Sequence, residues 1–192
     1  MLQGSTVRKL FAAALVLVVP VLVLGAKQEE KRRAGGPQRA IAVIHPIGDS
    51  GVLGVVAFTQ KGDVVEVRGT IQGLKPGKHA FHVHQWGDCT GTDGMAAGGH
   101  FNPDMKHHGG PDSEDRHVGD LGNITAGPDG VANIDITDKV LSLQGGHSII
   151  GRSVIVHAGV DDLKSDPAGN AGGRIGCGVI GIANPNPTPA KK

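Results

Sequence analysis

The stretch FHVHQWGDC, Phe81 to Cys89, places two imidazoles two residues apart in an apolar run and follows them with one of the chain's two cysteines. Side chains on an extended strand repeat with period two, so His82 and His84 would project from one face, within about 7 Å of each other, close enough to chelate one ion. Alone, such a pair also fits an ordinary half-buried strand. Downstream stand His100, His108, His117 and Asp120, and His157 closes the run SVIVH. Together these supply six imidazoles and one carboxylate. Three imidazoles with a carboxylate suit a closed, four-coordinate zinc site, which leaves no open position. Additional imidazoles in a plane suit copper(II), which can keep an axial face free. Because an imidazole has two ring nitrogens, one histidine could serve both ions.

Such a set must be carried by elements that bring distant residues together. The segments RAIAVIHPI, VLGVVAFTQ, DVVEVRGTIQ, KHAFHVHQ, GVANIDITD, RSVIVHAG and RIGCGVIGIA are short, rich in β-branched residues and bounded by Gly, Asp and Pro. With a further strand near HVGDLGNITA the total is eight. In DVVEVRGTIQ, Val65, Val67, Gly69 and Ile71 face one way, and Glu66, Arg68 and Thr70 face water. No window favours an amphipathic helix, so the pattern predicts an antiparallel sandwich or flattened barrel. Two intervals resist strand assignment, Asp88 to Arg116 and Ala158 to Gly173. Long loops of this kind in a small domain are usually functional.

Composition agrees with short strands joined by turns: 32 Gly and 11 Pro, with aromatic content of 3% and no Tyr. A chain of 192 residues holds one domain with appendages. Beyond Arg33 there are 13 basic and 16 acidic side chains, a net of −3, and no basic stripe, which argues against a nucleic-acid partner. The beginning is different. Arg8 and Lys9 precede an unbroken apolar run, residues 10–26, which reads as an export segment, either a signal peptide cut after Gly25 or an uncleaved membrane anchor. Residues 27–38 read as a solvated linker, 39–183 as the folded domain and 184–192 as a Pro-rich disordered tail. Export places the domain in a periplasmic or extracellular setting, where Cys89 and Cys177 are expected to pair. A bridge closing so long a loop would stabilise by about 4 kcal/mol on the chain-entropy account.

The segments FHVHQWGDC, GGHFNP, HHGGPDSEDRHVGDLGNI and GNAGGRIGCGVIGIA resemble the copper/zinc superoxide dismutase family, over roughly Arg39 to Ala183. The resemblance implies an eight-stranded antiparallel Greek-key barrel or sandwich, immunoglobulin-like in architecture, with two long functional loops. It implies dismutation of superoxide to dioxygen and hydrogen peroxide at a redox-cycling copper joined through a histidine to a structural zinc. His82, His84, His100 and His157 are the implied copper ligands; His100, His108, His117 and Asp120 the implied zinc ligands. His108 is preferred to its neighbour His107 on spacing. His79, read as facing the same way as His82, resembles an outer residue that orients a copper ligand, and Asp161 resembles the carboxylate linking the two metal sites. Arg174 resembles the arginine that guides and holds the anionic substrate, and His100 would relay a proton. His45 and His147 match no ligand position.

There are departures as well. The second loop is short and poor in charge, Ala168 replaces a frequent hydroxyl residue of the channel, and Cys89 directly follows Gly87-Asp88, as in bacterial members. Trp86, Ile149 to Gly151 and Gly178 to Ile182 resemble dimer contacts of eukaryotic members, which implies a homodimer. Two other classes compete: a catalytically silent copper/zinc-binding module, and a zinc hydrolase, which would need an open zinc position.

Overall fold

The computed structural model describes residues 35–187. The expected leader at 1–26, residues 27–34 of the linker and residues 188–192 of the tail lie outside the described residues. Among the described residues every strand belongs to one unit, which begins at Pro37. Among the described residues no helix is long and apolar enough to cross a membrane.

Eight antiparallel strands make up this unit: β1 (Arg39–Pro46), β2 (Leu53–Lys61), β3 (Val64–Gln72), β4 (Gly77–His84), β5 (Asp120–Ala126), β6 (Ala132–Asp138), β7 (Ser153–His157) and β8 (Arg174–Ile182). All eight expected strands are present, seven within a residue or two of their expected bounds and β5 starting three residues after the His117 of its expected segment. Their order is β5-β4-β7-β8-β1-β2-β3-β6, so the β3–β4 and β6–β7 connections pass between the two ends of the sheet. The sheet curls into a nearly closed barrel, with β5 and β6 lying against each other at the seam without a ladder.

Alternation explains the strands. Along β1, Ala40, Ala42 and Ile44 are buried while Ile41, Val43 and His45 are exposed. In β3, Val65, Val67 and Ile71 enter the same core, as the sequence pattern predicts. β4 and β7 behave differently: His79 to His84 and all of β7 are buried. Phe81, Val83, Val154 and Val156 join the barrel core, so the residues between them face the other way, beneath the loops. That second face carries His82, opposite Ile155, and His84, opposite Ser153.

Two loops cover this face. The first runs from β4 to β5 and is stitched back onto β4: Val83 N–H donates to the Gly119 carbonyl, Phe101 N–H to that of Val83 and Gly119 N–H to that of Phe101, each at 2.9 Å. A Cβ on Gly119 would collide with the Val83 carbonyl, so the close approach requires glycine. The second loop connects β7 to β8. Cys89 in the first loop is bonded to Cys177 in β8, with a Cα separation of 5.7 Å, as expected from export. At the seam, buried Arg116 donates to the carbonyl of Asp120 at 2.8 Å and to that of His117 at 3.3 Å, and pairs with buried Asp138 at the end of β6. Asp138 in turn accepts from the N–H groups of Val140 and Leu141.

Candidate metal centre

Two clusters form on the covered face. His82, His84, His100 and His157 have ligand atoms within 4.8 Å of one another, as do His100, His108, His117 and Asp120. Every member is buried, and His100 belongs to both. All seven residues that the sequence singled out as ligands are therefore brought together. The four-imidazole group is built from adjacent strands, β4 and β7, with His100 reaching in from the first loop at an isolated bridge to His84. The mixed group comes from that loop and the first residue of β5.

Hydrogen bonds fix which nitrogen of each ring is free. His82 Nε2 donates to Asp161 Oδ2 at 2.8 Å, leaving Nδ1 buried without a partner. His84 Nδ1 lies 2.9 Å from the Gly98 carbonyl and His157 Nδ1 lies 3.3 Å from that of Gly172. A carbonyl only accepts, so both Nδ1 atoms carry hydrogen and both Nε2 atoms carry lone pairs. Those two Nε2 atoms face each other at 3.3 Å. Two imidazoles about 2.0–2.1 Å from one ion at the tetrahedral angle would place their nitrogens about 3.4 Å apart. Converging lone pairs at this distance are the geometry of a cation site.

His100 is divided between the groups by its two nitrogens. Nδ1 lies 2.7 Å from Asp120 Oδ1 and 3.4 Å from His117 Nδ1, while Nε2 is buried without a hydrogen-bond partner. His108 Nδ1 is 3.1 Å from Asp120 Oδ2 without the angle of a hydrogen bond, and its Nε2 meets Asp161 Oδ1 at 2.8 Å. Asp161 thus holds one histidine of each group. Its backbone is gripped by Asn123, whose Oδ1 accepts from Asp161 N–H at 2.8 Å and whose Nδ2 donates to the Asp161 carbonyl at 2.9 Å.

Electrostatics separates the two groups. Burial pushes His100 down to about 4 and His157 to about 3, and lowers His84 as well. These imidazoles stay neutral and able to ligate at neutral pH. Burial also works against charge on His108, but Asp120 and Asp161 outweigh it and raise that ring to about 10. For Asp120 burial opposes ionisation, yet the hydrogen bonds from His100 and His117 and the close approach of the His108 ring hold the carboxyl far below its usual range. In the metal-free protein His108 therefore holds a proton that a cation must displace.

The four-imidazole group opens to solvent through a cavity of about 410 Å3 lined by His84, His100, His157, Ala168 and Arg174. Arg174 is held from behind, donating to the carbonyls of Gly94 at 2.6 Å and Gly98 at 2.7 Å. A larger concavity of about 630 Å3 lies on the outer faces of β1–β3. Its lining includes His45 and no carboxylate, so it lacks the groups for metal chemistry. His107 lies outside both clusters, at the surface beside Asp166. His147 is likewise outside, paired with Asp104.

The facing of His79 needs correction. His79 precedes His82 by three positions, an odd spacing that gives it the parity of Phe81 and Val83 rather than of the ligands. Its ring meets the backbone carbonyls of His157 at 2.9 Å and Lys75 at 2.8 Å. It holds His157, a candidate copper ligand, through the main chain rather than through the ring. Sequence reasoning missed Asn123, Asp166 and Gly169. A Cβ on Gly169 would overlap Asp161 Oδ1 and crowd His108 Nε2, and its φ of +62° also favours glycine. Gly169 lies within GNAGGR and Asn123 within GDLGNI, so the motifs contained them without announcing what they touch.

Comparison with known proteins agrees with the geometry. The family model described as copper/zinc superoxide dismutase (SODC) matches residues 52–180. A solved structure titled "Crystal Structure Analysis of the clock protein EA4" is 46% identical, with a TM-score of 0.72, covering 77% of this chain and 96% of that one. The chain belongs to the copper/zinc superoxide dismutase family.

Proposed function

We propose that the protein dismutates superoxide, with copper held by His82, His84, His100 and His157 and zinc held by His100, His108, His117 and Asp120. The observation that carries this reading is the shared ring of His100, one nitrogen turned to each donor set. The donor chemistry fits: a four-imidazole set open to a cavity suits copper, and a closed set of three imidazoles and a carboxylate suits zinc. Copper, when bound, supplies the one-electron couple that takes one superoxide to dioxygen and a second to hydrogen peroxide.

The protein's own residues do the rest. Arg174, fixed by Gly94 and Gly98 at the cavity wall, attracts and orients the anion. With a net charge of −3 beyond Arg33, the chain as a whole does not draw in anions, so the attraction is local. His100 Nε2 holds and delivers a proton at the cavity floor, while Asp120 and His117 keep the other nitrogen in place. Asp161 fixes the His82 tautomer so that Nδ1 faces the ion. Ala168, at the lining, leaves the cavity wider than a hydroxyl residue would.

Measuring copper, zinc and superoxide consumption on one preparation tests the reading. Copper and zinc near one each per chain with rapid consumption are expected; both metals bound without consumption would leave a silent metal-binding module. We further read the domain as exported, in keeping with the disulfide. Residues 10–26 tether it if the leader is uncut, which mass spectrometry of the mature amino terminus decides. The proposed homodimer would use Trp86, Val179 and Ile182, which are exposed, whereas Ile149 is wholly buried and makes no such contact. Light scattering against concentration checks it.

A further inference from the structure

The second loop grips His108 twice. Asp161 Oδ1 takes the ring at Nε2, and five residues later Asp166 Oδ1 accepts the His108 backbone N–H at 2.6 Å. Asp166 Oδ2 also meets His107 Nδ1 at 2.7 Å. The segment that carries Asp166 is itself tied together around Asp162, whose carboxylate accepts the N–H groups of Lys164 and Ser165 and the side-chain amide of Asn170. Asp162 N–H bonds the Gly169 carbonyl at 2.9 Å, and Gly169 N–H that of Ser165 at 2.7 Å. The next two residues, Pro167 and Ala168, line the cavity that reaches His84 and His157.

We propose that Asp166 is a positioning residue that hooks this knitted segment to the His107–His108 backbone, so that one carboxylate sets both the place of a ligand in the mixed group and the wall of the cavity over the four-imidazole group. This inference rests on the metal assignment for its zinc readout, and not on superoxide chemistry. The two arms differ in strength. The backbone N–H bond is part-buried, and losing such a charged acceptor costs roughly tenfold in local stability or more. The His107 arm lies at the surface, its side chain 79% exposed, where an ion pair contributes little.

The test uses the full chain. In the metal-free protein, hydrogen exchange at residues 107–110 is compared among the parent, Asp166→Ala, Asp166→Asn and His107→Ala, with Asp112→Asn as a control for lost surface charge. In the zinc-loaded protein, release to a chelator is timed for the same set. Asp166→Ala should speed exchange at 107–110 and zinc release by about tenfold. Asp166→Asn keeps an acceptor for the N–H and an amide that can face the His107 ring, so it should stay near the parent, as should Asp112→Asn. His107→Ala should change release by less than about twofold. Faster exchange confined to 163–168 with zinc release unaltered would overturn the hook, as would an Asn variant as impaired as Ala. A protein that held zinc yet consumed no superoxide would sink the proposed reaction and leave this inference standing; one that took up no zinc would still be decided by the exchange at 107–110.

Discussion

The two halves of the centre are held in different ways. Three of the four imidazoles in one half stand on neighbouring strands in a fixed register, with the barrel core directly behind them. The mixed half stands on a loop whose members are kept in place by carboxylates: Asp120 binds histidines from within, and Asp161 and Asp166 reach across from the second loop. The first half is given by the sheet, and the second must be assembled by side chains. It follows that the first should tolerate loss of its partners structurally, while the second should be sensitive to every carboxylate around it.

Removing the ring common to both halves is the severest test. His100→Ala should abolish superoxide consumption and zinc retention together, read by metal analysis and turnover; loss of only one would show that the halves are separable. Next come single members. His157→Ala should remove activity while zinc and the melting temperature stay near parental values, whereas His117→Ala should lose zinc first and loosen the first loop in hydrogen exchange. Equal structural damage from both would erase the distinction between strand-borne and loop-borne ligands. Asp161→Ala should weaken the retention of both metals by about 10- to 100-fold in competition with a chelator.

The halves should also respond to pH in opposite directions when metal is absent. His84, His100 and His157 are depressed in the fold by burial, so the stability of the neutral rings is present above the unfolded pKa of about 6.5 and is lost as pH falls, for His100 toward about 4 and for His157 toward about 3. At about 1.4 kcal/mol per pH unit, His100 alone contributes about 3 kcal/mol to that loss. His108 is raised, so its contribution is full below about 6.5 and is lost as pH rises through about 10. Urea unfolding of the metal-free protein across pH 4 to 10 should show both flanks, and His108→Asn should remove the alkaline one. The smallest effect is expected at the cavity wall. Arg174→Ala should slow turnover by about tenfold with metal content unchanged, and raising ionic strength should narrow the gap to the parent.

The strands were legible because alternation is local: β-branched runs broken by Gly, Asp and Pro leave one sensible register for β1 to β4 and β6 to β8. The candidate ligands were legible for another reason. The distances between His82, His100, His117 and His157 along the chain are too large for any local period, and only the long ordered motifs around them carried the assignment. What escaped is what acts through the main chain. Asn123 binds the backbone of a residue 38 positions away, and Asp166 that of a residue 58 positions back. Neither has a neighbour in sequence that signals its target. For His79 only the facing was misread against the parity that the sequence already contained; its bond to the His157 carbonyl keeps it beside a candidate ligand.

The seam between β5 and β6 ties the barrel to the mixed group. Among the described residues it is the one join of the barrel with no ladder, and Arg116 crosses it, with its guanidinium on the Asp138 carboxylate and on the carbonyls of His117 and Asp120. A widening of the barrel at that place would drag on two residues of the mixed group before any other contact in the loop was strained. On the proposed assignment, bound zinc would in turn resist the widening and so would act as a clasp on the cylinder.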